Sequence, residues 1–251
     1  MLSVNNVNKI FKKHDKNFVA VKDLNFEVNA GEIFGLIGTN GAGKTTTMRM
    51  IATTLKPTSG DIKVCGFDSV NEDDKVRNSL GVLYGGDTGL YDRLTARENI
   101  EYFGKLNGLS DEEIKESMQL LSKIFGLDSY LDRRCGTFSR GMKQKTSFAR
   151  AIIHNPQVML FDEPTAGLDI LASEEVISFI KQCKTMGKTI ILSSHNMQEI
   201  EELCDRALII DHGITKAKGT LEEIMNKTNT KSIKDAFISL IKRNDDEEKN
   251  I

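Results

Sequence analysis

The segment Gly38-Thr39-Asn40-Gly41-Ala42-Gly43-Lys44-Thr45 constrains this chain more than any other. It fits the pattern G-x-x-x-x-G-K-[S/T], in which glycines let the backbone curl until successive N–H groups form an anion nest at a helix N-terminus. Average residue usage yields a chance match in a chain of this length only about one per cent of the time. The run Glu32–Ile37 before it reads as a strand, and a helix is expected from near Gly43 to about Leu55, where Pro57-Thr58-Ser59-Gly60 marks a turn. A Gly-rich turn alone leaves Lys44 and Thr45 unexplained. In a phosphate site Lys44 supplies positive charge for the β- and γ-phosphates, and Thr45 offers a hydroxyl to Mg²⁺. Gly38, Thr39, Asn40, Gly41, Ala42, Gly43, Lys44, Thr45 and the following Thr46 are the expected nucleotide-binding residues.

A second segment supplies the other half of the chemistry. Val158-Met159-Leu160-Phe161-Asp162 is four apolar residues followed by an acid. Such a strand delivers Asp162 to the carboxyl edge of a parallel sheet, where ligands of these sheets bind. Asp162 and Thr45 are the expected Mg²⁺ residues, directly or through water. Glu163 is either a solvated loop acid or, beside a metal-holding aspartate, the base that positions the attacking water. Together the two segments point to a P-loop nucleoside triphosphatase.

The rest of the chain suits that core. Val19 and Val21, then Leu24, Phe26 and Val28, alternate as in strands across residues 2–37, and further strands are expected at about 61–65 and 80–84. Residues 95–155 read as helical, with capping-box spacing at Thr95/Glu98 and Ser110/Glu113. Beyond them the pattern alternates strand and helix: 158–162, 171–186, 188–193, 196–204 and 206–211. That alternation argues for a mainly parallel sheet covered by helices, with a helical block inserted between early and late strands. The expected division is a domain over 1–225, with its helical part at about 95–155, and a helical tail over 226–251.

Composition narrows the class. Hydrophobic residues make up 39% of the 251, which excludes a mostly disordered chain. Lys and Arg number 34 against 36 Asp and Glu, a net charge of −2, so no nucleic-acid partner is expected. The basic stretch 131–150 is the exception, with six Lys or Arg and one acid. No run approaches the ~20 apolar residues of a membrane span. The N-terminal segment lacks the apolar core of a signal peptide. The four cysteines, Cys65, Cys135, Cys183 and Cys204, form no CxxC pair. A reduced, cytosolic, soluble chain is the expectation.

Three further segments carry a resemblance. Phe138-Ser139-Arg140-Gly141-Met142-Lys143-Gln144 resembles the ABC signature, usually LSGGQ; Pro164-Thr165-Ala166-Gly167-Leu168-Asp169 is similar to the D-loop; and Ser193-Ser194-His195 is similar to the switch-histidine segment. Over about residues 1–225 the chain thus resembles the ATP-binding subunit of an ABC transporter. Within that family Leu90–Asn99 is most similar to NatA-type and related exporter ATPases. The resemblance implies an α/β ABC ATPase fold that hydrolyses ATP with Mg²⁺. It also implies a homodimer in which Ser139 and Gly141 face the γ-phosphate held by the partner and Asp169 reaches across. His195 would contact the γ-phosphate and hold water in register with Glu163, while Lys44 serves the same chemistry. Phe11 aligns with the aromatic that stacks on adenine. Phe18 is a rival for that place, and either could be core. Ser139 and Asp169 also suit helix caps, which need no ligand.

Two positions depart from the family pattern. Gly85 stands where the Q-loop glutamine is expected, leaving Asp87 or a water to substitute, and Arg140 replaces the usual first glycine of the signature. The implied partner is a separate integral membrane permease, which places the chain at the cytoplasmic face of the cell membrane. Two other functions remain open on the sequence: a soluble ABC ATPase acting on ribosomes or DNA, and a regulatory ATP-binding module.

Overall fold

The computed structural model describes residues 1–13, 16–84 and 89–248. β1 (Leu2–Lys13) and β2 (Lys16–Val28) pair antiparallel, and alternate residues such as Val4, Leu24, Phe26 and Val28 are buried on one face. β3 (Ile33–Ile37) then leads through the glycine loop into α1 (Lys44–Ile51). β4 (Ser59–Val64) and β5 (Phe67–Asp68) complete a four-stranded antiparallel sheet in the order β2-β1-β4-β5. α2 (Asp73–Ser79) and β6 (Leu80–Tyr84) return the chain to the main sheet.

The inserted helices follow as α3 (Ala96–Leu106), α4 (Asp111–Phe125) and α5 (Arg140–Ile152). The Thr95/Glu98 and Ser110/Glu113 boxes both form, each hydroxyl accepting from the N3 amide while the glutamate takes the cap N–H. The alternating remainder is β7 (Val158–Asp162), α6 (Ile170–Thr185), β8 (Thr189–Ser194), α7 (Met197–Leu203) and β9 (Arg206–Asp211). β10 (Ile214–Thr220), α8 (Leu221–Thr228) and α9 (Ile233–Glu248) close the fold.

The main sheet has the order β10-β9-β3-β8-β7-β6, parallel except for β10. Its central strands read as apolar runs because both faces are covered. Side chains of a strand alternate between faces. Val158 and Leu160 accordingly join the core shared with the antiparallel sheet, while Met159 and Phe161 join the one shared with the inserted helices. That second core has an aromatic centre. Phe148 lies 5.2 Å from both Phe161 and Phe179 between ring centroids, and Phe125 lies 4.5 Å from Phe179. The inserted helices therefore dock on β7 and α6 and have no separate core of their own.

One expectation needs correction. α1 ends at Ile51 and not near Leu55, because the Thr54 hydroxyl and the Leu55 N–H both take the Arg49 carbonyl and end the helical ladder. The edge strand β10 was not foreseen. It is joined to β9 by the two-residue turn His212-Gly213, both at positive φ, 46° and 76°. The expected division at residue 225 falls inside α8, and Ile233 and Ala236 of α9 are buried in the larger core.

Phe148 is 1% exposed and touches three other rings. Phe148→Ala is expected to lower the unfolding free energy by about 3–5 kcal/mol. Urea titration of the circular dichroism signal should show an earlier midpoint at unchanged slope.

Candidate active site

Gly38 follows β3 directly and Lys44 opens α1, so the glycine loop sits at the carboxyl end of the central strand. Two of its glycines are required by geometry. A Cβ at Gly38 would lie 2.4 Å from the Ile210 carbonyl oxygen, and one at Gly43, where φ is +109°, would lie 2.8 Å from that of Ala20. The Lys44 ammonium is buried and donates to the carbonyls of Gly38 at 2.7 Å and Thr39 at 3.1 Å. Burial pushes its pKa down, and the nearby carboxylates of Glu163 and Asp162 oppose that shift. Its Nζ stands 3.9 Å from Glu163 Oε1.

The register of β7 against β8 sets Asp162 beside Ser193. Asp162 Oδ2 accepts from the Thr45 hydroxyl at 2.9 Å, and Oδ1 accepts from the Ser193 hydroxyl. Glu163 then leaves the strand in a left-handed conformation, φ 52°, with its N–H donating to the Ser193 carbonyl at 3.0 Å. Its Oε2 meets Nδ1 of His195 at 2.5 Å. An ionised carboxylate only accepts, so Nδ1 carries the proton in this contact. In the sequence Ser193 stands only within the switch-histidine segment. Its role here depends on strand register, which the sequence does not display.

A cavity of about 440 Å³ opens over these groups, lined by Thr39, Asn40, Gly41, Gly43, Lys44, Thr45, Thr46, Glu163 and His195 among others. Gly38 and Ala42 are buried beneath it. Phe11 and Phe18 both line its wall, are 38% and 58% exposed, and face each other directly across the β1–β2 pair. Neither is core. A larger groove of about 640 Å³ between α4, α5 and α6 includes Gly141 but none of the glycine-loop residues.

Ser139, Gly141 and Asp169 are not among the residues lining the cavity over Lys44. Ser139 caps α5, accepting from the Met142 N–H at 3.3 Å, and Asp169 caps α6, accepting from Ala172 at 2.9 Å; both are exposed. The departure at Arg140 has a structural reason. Its guanidinium donates to the Ala166 carbonyl at 2.7 Å and lies over Gly167, where an added Cβ would sit 2.4 Å from it. Gln144, one turn later, donates to the Pro164 carbonyl at 2.9 Å, so α5 holds the loop that follows Glu163 at two points. Gly85 and Asp87 lie outside the described residues.

A glycine loop, a buried lysine and a paired Asp-Glu at the same sheet edge suit a triphosphatase; the family is decided by comparison. The ABC transporter family model matches residues 21–166, more than half of the chain. The chain belongs to the ABC transporter family. It is 45% identical over 243 residues to the ABC transporter ATP-binding protein NatA of Bacillus subtilis, covering 97% of this chain and 99% of that protein. It is 40% identical over 209 residues to the Nod factor export ATP-binding protein I of a Rhizobium species, covering 83% of this chain and 68% of that one. Among solved structures, the ATP-binding subunit of an ABC transporter superposes with a TM-score of 0.86 at 30% identity, covering 96% and 99% of the two chains. A dimeric ATP-binding cassette in a post-hydrolysis state with ADP and Pi superposes at 0.80 and 26% identity, covering 88% and 99%. The chain is thus an ATP-binding, ATP-hydrolysing ABC subunit, with the α/β fold expected of it.

Lys44→Ala removes the lysine ammonium that lines this cavity. A charge-assisted hydrogen bond contributes about 1.5–3 kcal/mol, so the Kd for ATP should rise about 10- to 150-fold. Calorimetric titration checks this, and an unchanged Kd would remove Lys44 from the phosphate site.

Proposed function

We propose that this subunit powers solute export through a separate integral membrane permease, as one of two identical cassettes that close on ATP at the cytoplasmic face of the membrane. The observation that carries the reading is the split site. The cavity holds the glycine loop, Glu163 and His195, whereas Ser139 stands exposed at the N-terminus of α5 and does not line it. A helix N-terminus in the basic 131–150 stretch is a second anion site. In a C₂ pair each Ser139 and Gly141 complete the γ-phosphate site of the other copy, with Asp169 at the crossing. The dimeric solved relative supports this arrangement. So do Ile170 and Leu171, which follow Asp169 and are 82% and 79% exposed, large aliphatics on an otherwise solvated surface.

Export is supported by the Nod factor export relative. Among the described residues no helix is long and apolar enough to cross a membrane, which is why the transport path is assigned to another chain. The reported relatives are transporter subunits, which disfavours action on ribosomes or DNA. The direct contact between Glu163 and His195 disfavours a module that has lost hydrolysis.

In the reaction Phe11 stacks on adenine with Phe18 beside it, and the loop Gly38–Thr46 cradles the phosphates. Thr45 and Asp162 present two hard oxygen donors 2.9 Å apart, a set that suits Mg²⁺, and they would hold it. When bound, the ion neutralises phosphate charge. Glu163 takes the proton of the attacking water. A hydrogen bond from His195 to the γ-phosphate needs Nε2–H as well as the Nδ1–H on Glu163, that is, the imidazolium.

Glu163→Gln retains shape and removes the proton acceptor. Turnover should fall about 10²–10⁴-fold with ATP binding retained. The blocked protein should shift from monomer to dimer on ATP and not on ADP, read by light scattering after gel filtration. Adding Ser139→Arg should abolish the shift. Wild-type turnover in Glu163→Gln would remove that residue from its role, and a monomer at saturating ATP would count against the shared site.

A further inference from the structure

Glu199 of α7 is a buried carboxylate, 6% exposed, outside the cavity described above. It accepts the Thr165 hydroxyl on Oε1, the Ser194 hydroxyl on Oε2 at 2.8 Å, and the Asn196 side-chain amide on Oε1 at 3.3 Å. The Ser194 oxygen takes the Asn196 N–H at 3.0 Å, so its own proton is free for Glu199. Three donors converge on two oxygens, a set that an acceptor-only carboxylate satisfies. Burial of a charge is costly unless it is compensated in this way.

Its position in the helix makes the arrangement informative. Asn196 is the N-cap of α7, so Glu199 stands at N3. At N3 a glutamate ordinarily folds back to the N-cap N–H, as Glu98, Glu113 and Glu223 do in this same protein. Glu199 forgoes that bond. The Asn196 N–H goes to Ser194, and the carboxylate reaches out to another loop. Thr165 is two residues after Glu163, and Ser194 directly precedes His195. One buried carboxylate therefore straps together the two segments whose side chains meet at 2.5 Å.

We propose that Glu199 is a positioning residue that sets the Glu163–His195 contact by tying the loop after β7 to the end of β8. This rests on the roles given to Glu163 and His195 above. A purely structural role would lower stability or ATP affinity; a positioning role lowers the chemical step alone.

The test is ATP turnover by the full chain carrying Glu199→Gln or the near-isosteric Thr165→Val, each with and without His195→Ala. Expected is a fall in kcat for Glu199→Gln of up to about 10²-fold, the scale of a misplaced catalytic group. Thr165→Val should give a smaller fall, with KM and the calorimetric ATP affinity unchanged in both. In the His195→Ala background, single-turnover rates should show no further loss from either change. Wild-type kcat in Glu199→Gln, a shift in KM alone, or equal losses in both backgrounds would overturn the proposal. If Glu199→Gln does not fold, Thr165→Val decides on the same criteria. Wild-type turnover in His195→Ala would sink the role of His195 itself and, with it, the strap as proposed; that outcome is read from a variant in which Glu199 is intact.

Discussion

A buried ammonium makes demands on everything around it. Lys44 lies 6% exposed at the start of α1, and its charge is held only because two loop carbonyls and two carboxylates converge on it. Those groups come from distant parts of the chain. The carbonyls belong to the loop after β3, and Asp162 and Glu163 end β7, with β8 between the two strands. The parallel register pairs Ile37 with Ser194 and Asp162 with Ser193, so three strand ends arrive level at one edge. A slip of one residue would turn Asp162 to the other face and leave the lysine uncompensated.

The same register explains why the inserted helices cannot be treated as a separate unit. Odd positions of β7 feed the core beneath α4 and α5, and the aromatic cluster around Phe148 joins them to α6. α5 then reaches the loop after Glu163 through Arg140 and Gln144. Arg140 departs from the glycine usual at its position, yet here it packs within its own chain, over a Gly167 that has neither a Cβ nor difficulty with φ +70°. α5 is thereby tied to the loop that follows Glu163.

Polar ties of this kind dominate the site. Ser193, Thr165, Ser194 and Glu199 do not line the cavity, but their hydrogen bonds tie down Asp162 and the segments that carry Glu163 and His195. Several bonds in the group involve carboxylates, and charge-assisted hydrogen bonds are among the stronger ones available to a protein. In a cavity that must remain open to a nucleotide, such bonds fix side chains that apolar packing cannot reach.

The residues themselves determined a good deal. The glycine loop needs Gly38 and Gly43 for their missing side chains, and that need is local, so the turn into α1 that places Lys44 and Thr45 at the end of β3 was legible from spacing alone. The apolar runs of the main strands and the capping boxes of α3 and α4 were legible for the same reason, since each depends on neighbours within a few residues. The choice between Phe11 and Phe18 was not legible. Both turn out to line the cavity because cross-strand pairing, a contact between remote residues, sets them opposite each other. β10 is not legible in the sequence because its pairing rests on a two-residue turn and a partner strand, and only the fold shows Ile233 of α9 in the core. Glu199 is the plainest case. In sequence it is one acid in an acidic helix start, and only the fold places Thr165, 34 residues away, against its carboxylate. Local chemistry is written in spacing; the partners of a buried charge are chosen by how the strands and loops come together.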